Sequence, residues 1–303
     1  MGATSEYTAL VALLRNRSKG ESWGEVTERV LKYGSAEAVW SARSDGALTP
    51  DPEDQTRWDA AAEKVRSWCE QPYRLVSILD PEYPARLRDI HQAPPFLFAM
   101  GALLSDDPAI AVVGSRKASA RGLGVAANVA NELALRGVTV LSGLAAGVDS
   151  AAHTAALDAN GRTVALIGTG ITRYYPASNR QLQDRVAREG LVLSQFWPDG
   201  PPQPHNFLMR NAVMSGYGRA TVVVEAGEHS GARAQARMAV EHGRPVILTD
   251  QVVQANEWAR KLVDRPGVHT AANVTAVMRR VDDVLDRDQR VKGVLAELLG
   301  AGL

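Results

Sequence analysis

The sequence predicts an α/β fold, in which a doubly wound, Rossmann-like parallel sheet follows a small N-terminal helical domain. From residue 109 onward, six β-rich runs alternate with helical segments, and glycine-containing turns separate them. The runs are short and almost continuously apolar, which is typical of strands buried on both faces of a sheet. With 303 residues, 45% of them hydrophobic, the chain is long enough for such a core and one smaller domain.

Residues 1–70 are predicted to form the helical module, because their apolar residues recur three or four positions apart. One helix ends near Gly34, a second follows from Ala36, and a third covers residues 58–69. Residues 44–56 are rich in Asp, Pro, Thr and Gly, which is typical of a loop. No residue pattern in this module indicates chemistry.

Residues 71–108 are predicted to be a connector that packs on the core. A short strand over 74–79 opens it, and prolines at 81, 84, 94 and 95 exclude long helices. The Rossmann-like domain is predicted over 109–275. An amphipathic helix is predicted over 276–303, because its apolar residues keep a helical spacing.

Within the Rossmann-like domain, strand, turn and helix follow one another in regular order. Helices near 122–135, 151–159 and 179–189 are each followed by a glycine that ends them. The predicted strands are AIAVV (109–113), VTVLS (138–142), TVALIG (163–168), LVLSQF (191–196), TVVVEA (221–226) and PVILTD (245–250).

The loops after these strands form a candidate phosphate site, because the carboxyl ends of parallel strands meet at one edge of a sheet. Glycine amides can approach phosphates closely there, and neighbouring cations can neutralise them. Taken singly, each glycine is also explained by its turn, and Arg210 by a structural salt bridge. The glycines are 114, 143, 168 and 231, and the cations are Arg116, Lys117 and Arg210.

Three acidic or basic residues near this edge invite other interpretations. Asp149 and His153 lie four positions apart, as in an acid–base or metal pair. Two ligands make a poor metal site, so no metal is predicted, and an N-cap role for Asp149 is favoured. Glu225 ends a strand, where it either contacts a ribose hydroxyl or caps the next helix. The sequence contains no Walker or complete dinucleotide-binding motif and predicts no cofactor.

Composition limits the class of partner and the compartment. The 34 basic residues balance the 34 acidic ones, so any nucleic-acid binding must come from a local basic face. A single cysteine, Cys69, excludes an intrachain disulfide and agrees with a reducing compartment. The sequence has neither a leader pattern nor a bilayer-spanning apolar run, which predicts a cytoplasmic protein without membrane contact.

Several separate motifs, in order between residues 73 and 246, resemble those of the DNA-processing protein A family, also called Smf. The motifs are DPEYPARLRDIHQAPPFLFAMG, AVVGSR, SGLAAGVDSAAH, ALIGTGITRYYPASN, LVLSQF, FLMRN and VVVEA followed by HSG. The resemblance implies an extended Rossmann sheet and a non-enzymatic protein that binds single-stranded DNA. It also implies the loading of RecA on that DNA during natural transformation. We further expect a homodimer, because pairing lengthens the binding site.

By this resemblance, Arg116, Phe207, Arg210 and Asn211 fall on the basic pocket for single-stranded DNA. A phosphate-binding edge beside an exposed aromatic ring is also the general arrangement for binding single strands. Burial of Phe207 in the core is the alternative. The full set of predicted DNA- or phosphate-binding residues is Gly114, Ser115, Arg116, Lys117, Ser142, Gly143, Gly168, Phe207, Arg210, Asn211, Ser230 and Gly231.

Departures from the family pattern identify a divergent member. Ala212 stands where a second arginine is usual, Gln195 replaces a glutamate, and ARAQA at 232–236 replaces the usual continuation. They leave open a second hypothesis, a nucleotide-binding sensor or phosphoribohydrolase-like enzyme, with a role in phage defence. It would place Arg116 on a phosphate and Glu225 near a ribose, but the PGGxGTxxE motif of that branch is absent.

Overall fold

A computed structural model describes residues 2–44 and 52–300. Most of the predicted loop at 44–56 lies outside these ranges, and its last part, from Pro52, already belongs to a helix. Within the described ranges, no helix has the length and apolar character needed to cross a membrane.

A mostly parallel sheet of nine strands organises the described residues, and it confirms the predicted fold class. The order across the sheet is β1-β2-β6-β5-β4-β3-β7-β8-β9; β2 pairs antiparallel with β1 and with β6, and all other neighbouring strands pair parallel. In chain order the strands are β1 (Arg74–Ser77), β2 (Phe96–Gly101), β3 (Ala109–Gly114), β4 (Thr139–Ser142), β5 (Thr163–Leu166), β6 (Leu191–Ser194), β7 (Ala220–Glu225), β8 (Val246–Thr249) and β9 (Val268–Ala271).

Helices cover both faces of this sheet, and four more precede it. In chain order they are α1 (Gly2–Arg15), α2 (Trp23–Tyr33), α3 (Ala36–Ser41), α4 (Pro52–Cys69), α5 (Ala120–Leu135), α6 (Val148–Asp158), α7 (Arg180–Glu189), α8 (Pro204–Tyr217), α9 (Gly231–Glu241), α10 (Asp250–Ala255), α11 (Glu257–Val263) and α12 (Val274–Gly300). The last helix therefore begins two residues before its predicted start. The predicted division at residues 70, 108 and 275 stays a prediction.

Strand β3 shows why the apolar runs become central strands. Ala109, Ala111 and Val113 pack under α8 to α11, whereas Ile110 and Val112 pack under α5, α6 and α12. All five side chains are almost completely buried. Because successive side chains of a strand point to opposite faces, only an unbroken apolar run can fill both layers.

The predicted connector contributes two strands to the sheet itself. Strand β2 pairs antiparallel with β6 and carries Phe96 and Phe98, which pack against the N-terminal helices. Trp68 of α4 meets Phe98 edge to face, with 5.1 Å between ring centroids. Trp197 stacks on Phe96 at 4.8 Å, so the N-terminal helices and the loop after β6 share one core.

Successive strands of the parallel part are added first on one side of β3 and then on its other side. Strands β4, β5 and β6 lie on one side of β3, and β7, β8 and β9 lie on the other. A crevice forms beyond the carboxyl ends of the strands at such a change of side, and it is the usual ligand position in open α/β sheets. The fold therefore places the turn after β3 and the loop after β7 on either side of one crevice.

Candidate functional site

A cavity of about 440 Å³ lies in this crevice, and we call it the main cavity. The turn after β3, the first part of α8 and the amino end of α9 form its walls. Nine of the twelve predicted binding residues line it, namely Gly114, Ser115, Arg116, Lys117, Phe207, Arg210, Asn211, Ser230 and Gly231.

A second, smaller cavity of about 100 Å³ adjoins the main one and includes Gly143 and Gly168 in its lining. The two cavities share Arg116, Phe207 and Arg210. We call it the side cavity. The side chains of Arg116 and Phe207 thus separate two concave spaces at the same sheet edge.

Arg116 stands at the rim, exposed to solvent. Its guanidinium carbon lies 5.5 Å from the centroid of the Phe207 ring, a cation–π geometry. Among the described residues, neither Arg116 nor Lys117 forms an ion pair with a carboxylate. Both cations are therefore available to an anionic ligand, although the chain as a whole is neutral.

Arg210 is the deep cation of the site, with 6% of its surface exposed. Its Nη1 donates a 2.6 Å hydrogen bond to the Leu166 carbonyl, and its Nε has no partner in the described part of the chain. Burial lowers the pKa of Arg210, and the nearby Asp149 carboxylate opposes that shift. A buried guanidinium that lines a cavity favours an anion, because charge-assisted hydrogen bonds stabilise both groups.

Asp149 provides the opposing negative charge from the first turn of α6. Its carboxylate accepts hydrogen bonds from the amides of Gly143 (3.1 Å) and Ala145 (3.3 Å). Burial raises the pKa of Asp149, while the Arg210 charge and these amides lower it. The N-cap of α6 is Gly147, so the expected N-cap role needs correction: Asp149 holds the loop before the helix.

His153 is fully buried behind Asp149 and does not form an acid–base pair open to solvent. Thr163 Oγ1 donates to the Val140 carbonyl, so it accepts the 2.7 Å hydrogen bond from His153 Nδ1. Burial, helped by the Arg210 charge, lowers the pKa of His153 to about 3. The imidazole is therefore neutral at physiological pH.

Gly143 and Gly168 act through the space they leave rather than through free amides. The Gly143 amide is bonded to Asp149, so the prediction that it meets a phosphate does not fit the structure. A Cβ at position 143 would lie 1.9 Å from Arg210 Nη1, and one at 168 would lie 2.7 Å from the Phe207 ring. The two glycines thus allow Arg210 and Phe207 to reach the cavities.

Ser142 and Glu225 lie away from the main cavity, and their polar atoms are already engaged. The buried Ser142 hydroxyl donates to the Val112 carbonyl at 2.7 Å. Glu225 accepts hydrogen bonds from the Ser119 amide (2.9 Å) and from Gln251 Nε2 (3.1 Å). Its carboxylate therefore anchors the N-cap of α5, and the structure brings neither residue to the ligand edge.

Phe207 is half-buried and lines both cavities, so it does not belong to the core, and its role as a binding residue stays a prediction. One part of the ring supports Arg116, and the ring centroid lies 5.5 Å from that of Tyr175. An aromatic face at a cavity rim can stack on a base without selecting its identity.

The amino end of α9 and Gln235 complete the main cavity. Ser230 is the N-cap of α9, and Ser230, Gly231 and Ala232 line the cavity, so the positive end of the helix dipole lies beside it. Gln235 is 1% exposed, and neither its amide nitrogen nor its oxygen has a partner among the described residues. The sequence marked Gln235 only as a departure from the family pattern, placed His229 in the HSG motif without making it a binding residue, and did not place Met214 in the lining.

The sequence and the architecture are similar to those of known proteins. A family model described as DNA recombination-mediator protein A matches residues 74–282. The chain belongs to that family. The resemblance predicted from the motifs is therefore confirmed.

Curated relatives of the family are similar over most of this chain. It is 37% identical to DprA of Bacillus subtilis over 185 residues, which is 60% of this chain and 62% of that protein. It is 41% identical to DprA of Streptococcus pneumoniae over 182 residues, 58% of this chain and 63% of that protein. It is 37% identical to the putative DprA of Mycobacterium tuberculosis over 257 residues, which is 80% of this chain and 63% of that protein. The chain thus spans less than two thirds of the length of these relatives.

Two solved structures share the architecture. The X-ray structure of S. pneumoniae DprA has a TM-score of 0.72 and 30% identity, covering 91% of this chain and 97% of that one. DNA processing protein A of Helicobacter pylori, solved to describe its single-stranded DNA binding mode, has a TM-score of 0.63 and 24% identity. That likeness covers 72% of this chain and 98% of the other, and at this identity it concerns the fold alone.

Proposed function

We propose that this protein binds single-stranded DNA in the main cavity and acts as a recombination mediator without catalysing a reaction. One observation carries the proposal: the exposed Arg116 and the buried Arg210 border the same cavity, and neither forms an ion pair in the described residues. The amino end of α9 adds partial positive charge at the same place. Backbone phosphates are the ligand that such a site favours.

The aromatic part of the site supports a nucleic acid over a free inorganic anion. Phe207 lies under Arg116, so a base can stack on the ring while an adjoining phosphate meets the cation. A single strand exposes its bases for this contact, whereas a duplex keeps them paired and stacked. The description of the matching family as a DNA recombination mediator supports the same assignment.

Membership of the family suggests roles for the protein beyond DNA binding. We propose that the protein protects incoming single strands in the cytoplasm and helps load a RecA-type recombinase on them. We also propose that it acts as a homodimer, because two copies of one short site bind a strand more tightly than one copy. The description of the family as a recombination mediator supports these roles.

The test is binding of a fluorescent oligothymidine, measured by anisotropy over a salt titration. Affinity is expected to fall steeply with salt, since each neutralised phosphate contributes about 0.7 to the slope of log K against log salt for a single strand. Arg116→Ala should reduce that slope by about one such step. Arg188→Ala is the matched control, because Arg188 is exposed at the end of α7. It lies just before the amino end of β6, whereas the cavity lies at the carboxyl ends of the strands.

Two results would contradict the proposal. One is the absence of binding by the wild-type protein at low salt. The other is equal affinity for thymidine monophosphate and for the oligonucleotide, which would assign the cavity to a free nucleotide. A duplex of the same length should compete poorly.

A further inference from the structure

Exposed apolar side chains gather beside Phe207, outside the main cavity. Tyr174 is 36% exposed and Tyr175 41%, and both follow β5 in the same loop. Leu208 (56%) and Met209 (40%) on α8 are also exposed. Exposed apolar groups that cluster next to a polar site mark a contact surface more often than they reflect packing.

Tyr175 connects this surface to the proposed DNA site. Its ring centroid lies 5.5 Å from that of Phe207, and the two planes are inclined by 43°. Tyr175 also lines the side cavity, which shares Arg116 and Arg210 with the main cavity. A chain that leaves the main cavity across Phe207 therefore meets Tyr175 next.

The charges around the two tyrosines suit a polyanion. The guanidinium carbon of Arg180 lies 4.8 Å from the centroid of the Tyr174 ring, and Arg173 is exposed beside it. Neither arginine forms an ion pair among the described residues; Arg173 Nε donates to the backbone carbonyl of Asp199. One acidic group that faces this surface is Asp184, which accepts a 2.9 Å hydrogen bond from the Tyr174 hydroxyl.

We propose that Tyr174 and Tyr175, together called the tyrosine surface, form a second base-stacking subsite for the nucleotides that leave the main cavity. The proposal rests on the proposed function and commits to one occupant, the continuing single strand. Aromatic rings beside cations are the pattern by which proteins hold successive bases regardless of sequence. Loss of one stacked base weakens binding by about tenfold.

Oligonucleotide length separates this subsite from the main cavity. We expect a thymidine dinucleotide to occupy the main cavity alone, whereas an oligothymidine of about twelve nucleotides is long enough for both surfaces. Tyr175→Ala should weaken binding of the longer strand about tenfold and of the dinucleotide less than twofold. Tyr175→Phe should keep the wild-type affinity. Tyr33→Ala is the matched control, because Tyr33 is 56% exposed on α2 and lines neither cavity.

Photo-crosslinking supplies a readout that does not depend on a variant. An oligothymidine carrying 5-iodouracil at its ends should crosslink to the peptide with Tyr174 and Tyr175 when irradiated in complex with the wild-type protein. Thermal melting of each variant would show that it is folded.

The outcomes are distinguishable. If the wild-type protein binds both strands but Tyr175→Ala binds the long one equally well, or crosslinks avoid the tyrosine peptide, the subsite is overturned and the proposed function stands. If the tyrosine surface binds a protein instead of DNA, Tyr175→Ala should likewise leave binding of the long strand unchanged, and the subsite is overturned. If neither strand binds the wild-type protein, the proposed function and the subsite both fail.

Discussion

Gly143 sets the position of the Arg210 guanidinium, and Gly143→Ala tests whether that position matters. A Cβ there would lie 1.9 Å from Nη1, so the guanidinium must move by about 1.5 Å to reach an ordinary contact of 3.4 Å. Such a shift breaks the 2.6 Å hydrogen bond from Nη1 to the Leu166 carbonyl. Arg210 lines both cavities, so the displaced group has room to move into them.

The two consequences of Gly143→Ala differ in size. Loss of a hydrogen bond from a charged donor costs about 1.5–3 kcal/mol, but hydration of the displaced guanidinium offsets part of it, so stability should fall by about 1 kcal/mol. Binding loses a positioned cation and gains an obstruction, which should weaken oligothymidine affinity at least about tenfold. Denaturant unfolding measures the first effect, and anisotropy measures the second.

Gly124→Ala is the matched control for this substitution. Gly124 lies exposed in α5, and a Cβ there meets nothing within 4 Å. Alanine should stabilise the helix by up to about 1 kcal/mol and leave binding unchanged. If Gly143→Ala retains wild-type stability and wild-type affinity, the position of the Arg210 guanidinium matters for neither folding nor binding.

Three further predictions concern stability. Gln235→Leu should raise the free energy of unfolding by about 1 kcal/mol or more in denaturant titrations, because it removes two buried polar atoms without partners; a loss of stability would show that hydration satisfies the amide. His153 stays neutral in the fold, where its pKa is about 3, but in the unfolded chain it binds a proton below about pH 6.5. The free energy of unfolding should therefore fall by about 1.4 kcal/mol for each pH unit from 6.5 down towards 3. His153→Asn should flatten that dependence, and an unchanged profile would contradict the pKa argument. Asp107→Asn should lower the free energy of unfolding by about 3–5 kcal/mol in denaturant titrations, because the buried Asp107 accepts hydrogen bonds from Arg162 (2.9 Å) and Tyr217 (2.8 Å). A decrease of less than about 1 kcal/mol would contradict this.

The position of the cavity could be predicted from sequence because the rule behind it needs no side-chain detail. Residues that follow parallel strands meet at one edge of the sheet whatever the order of the strands. Arg116 and Ser230 could therefore be placed together although they are more than a hundred positions apart. The direction of each side chain could not be predicted: Ser142 and Glu225 end strands, yet their polar groups are bonded to the Val112 carbonyl and to Ser119 instead of facing the cavity.

Strands β2 and β9 escaped prediction for different physical reasons. The run FLFAMG of β2 follows two prolines, and no helix follows it as one would follow a strand of a parallel sheet. The strand instead pairs antiparallel with β6, at one side of the parallel strands. Strand β9 lies at the other edge of the sheet and buries only Val268 and Ala271, too few for a periodic signal. Both strands depend on partners that are distant in sequence.

The contact between Arg116 and Phe207 has a consequence for the thermodynamics of binding. A free arginine side chain loses about 1.5–2 kcal/mol of conformational entropy when a ligand immobilises it. Here the ring already restricts the guanidinium before any ligand arrives. Part of that ordering therefore accompanies folding, and binding starts from a preorganised cation. Phe207→Ala should then weaken even a ligand that never touches the ring, through a less favourable entropy of association.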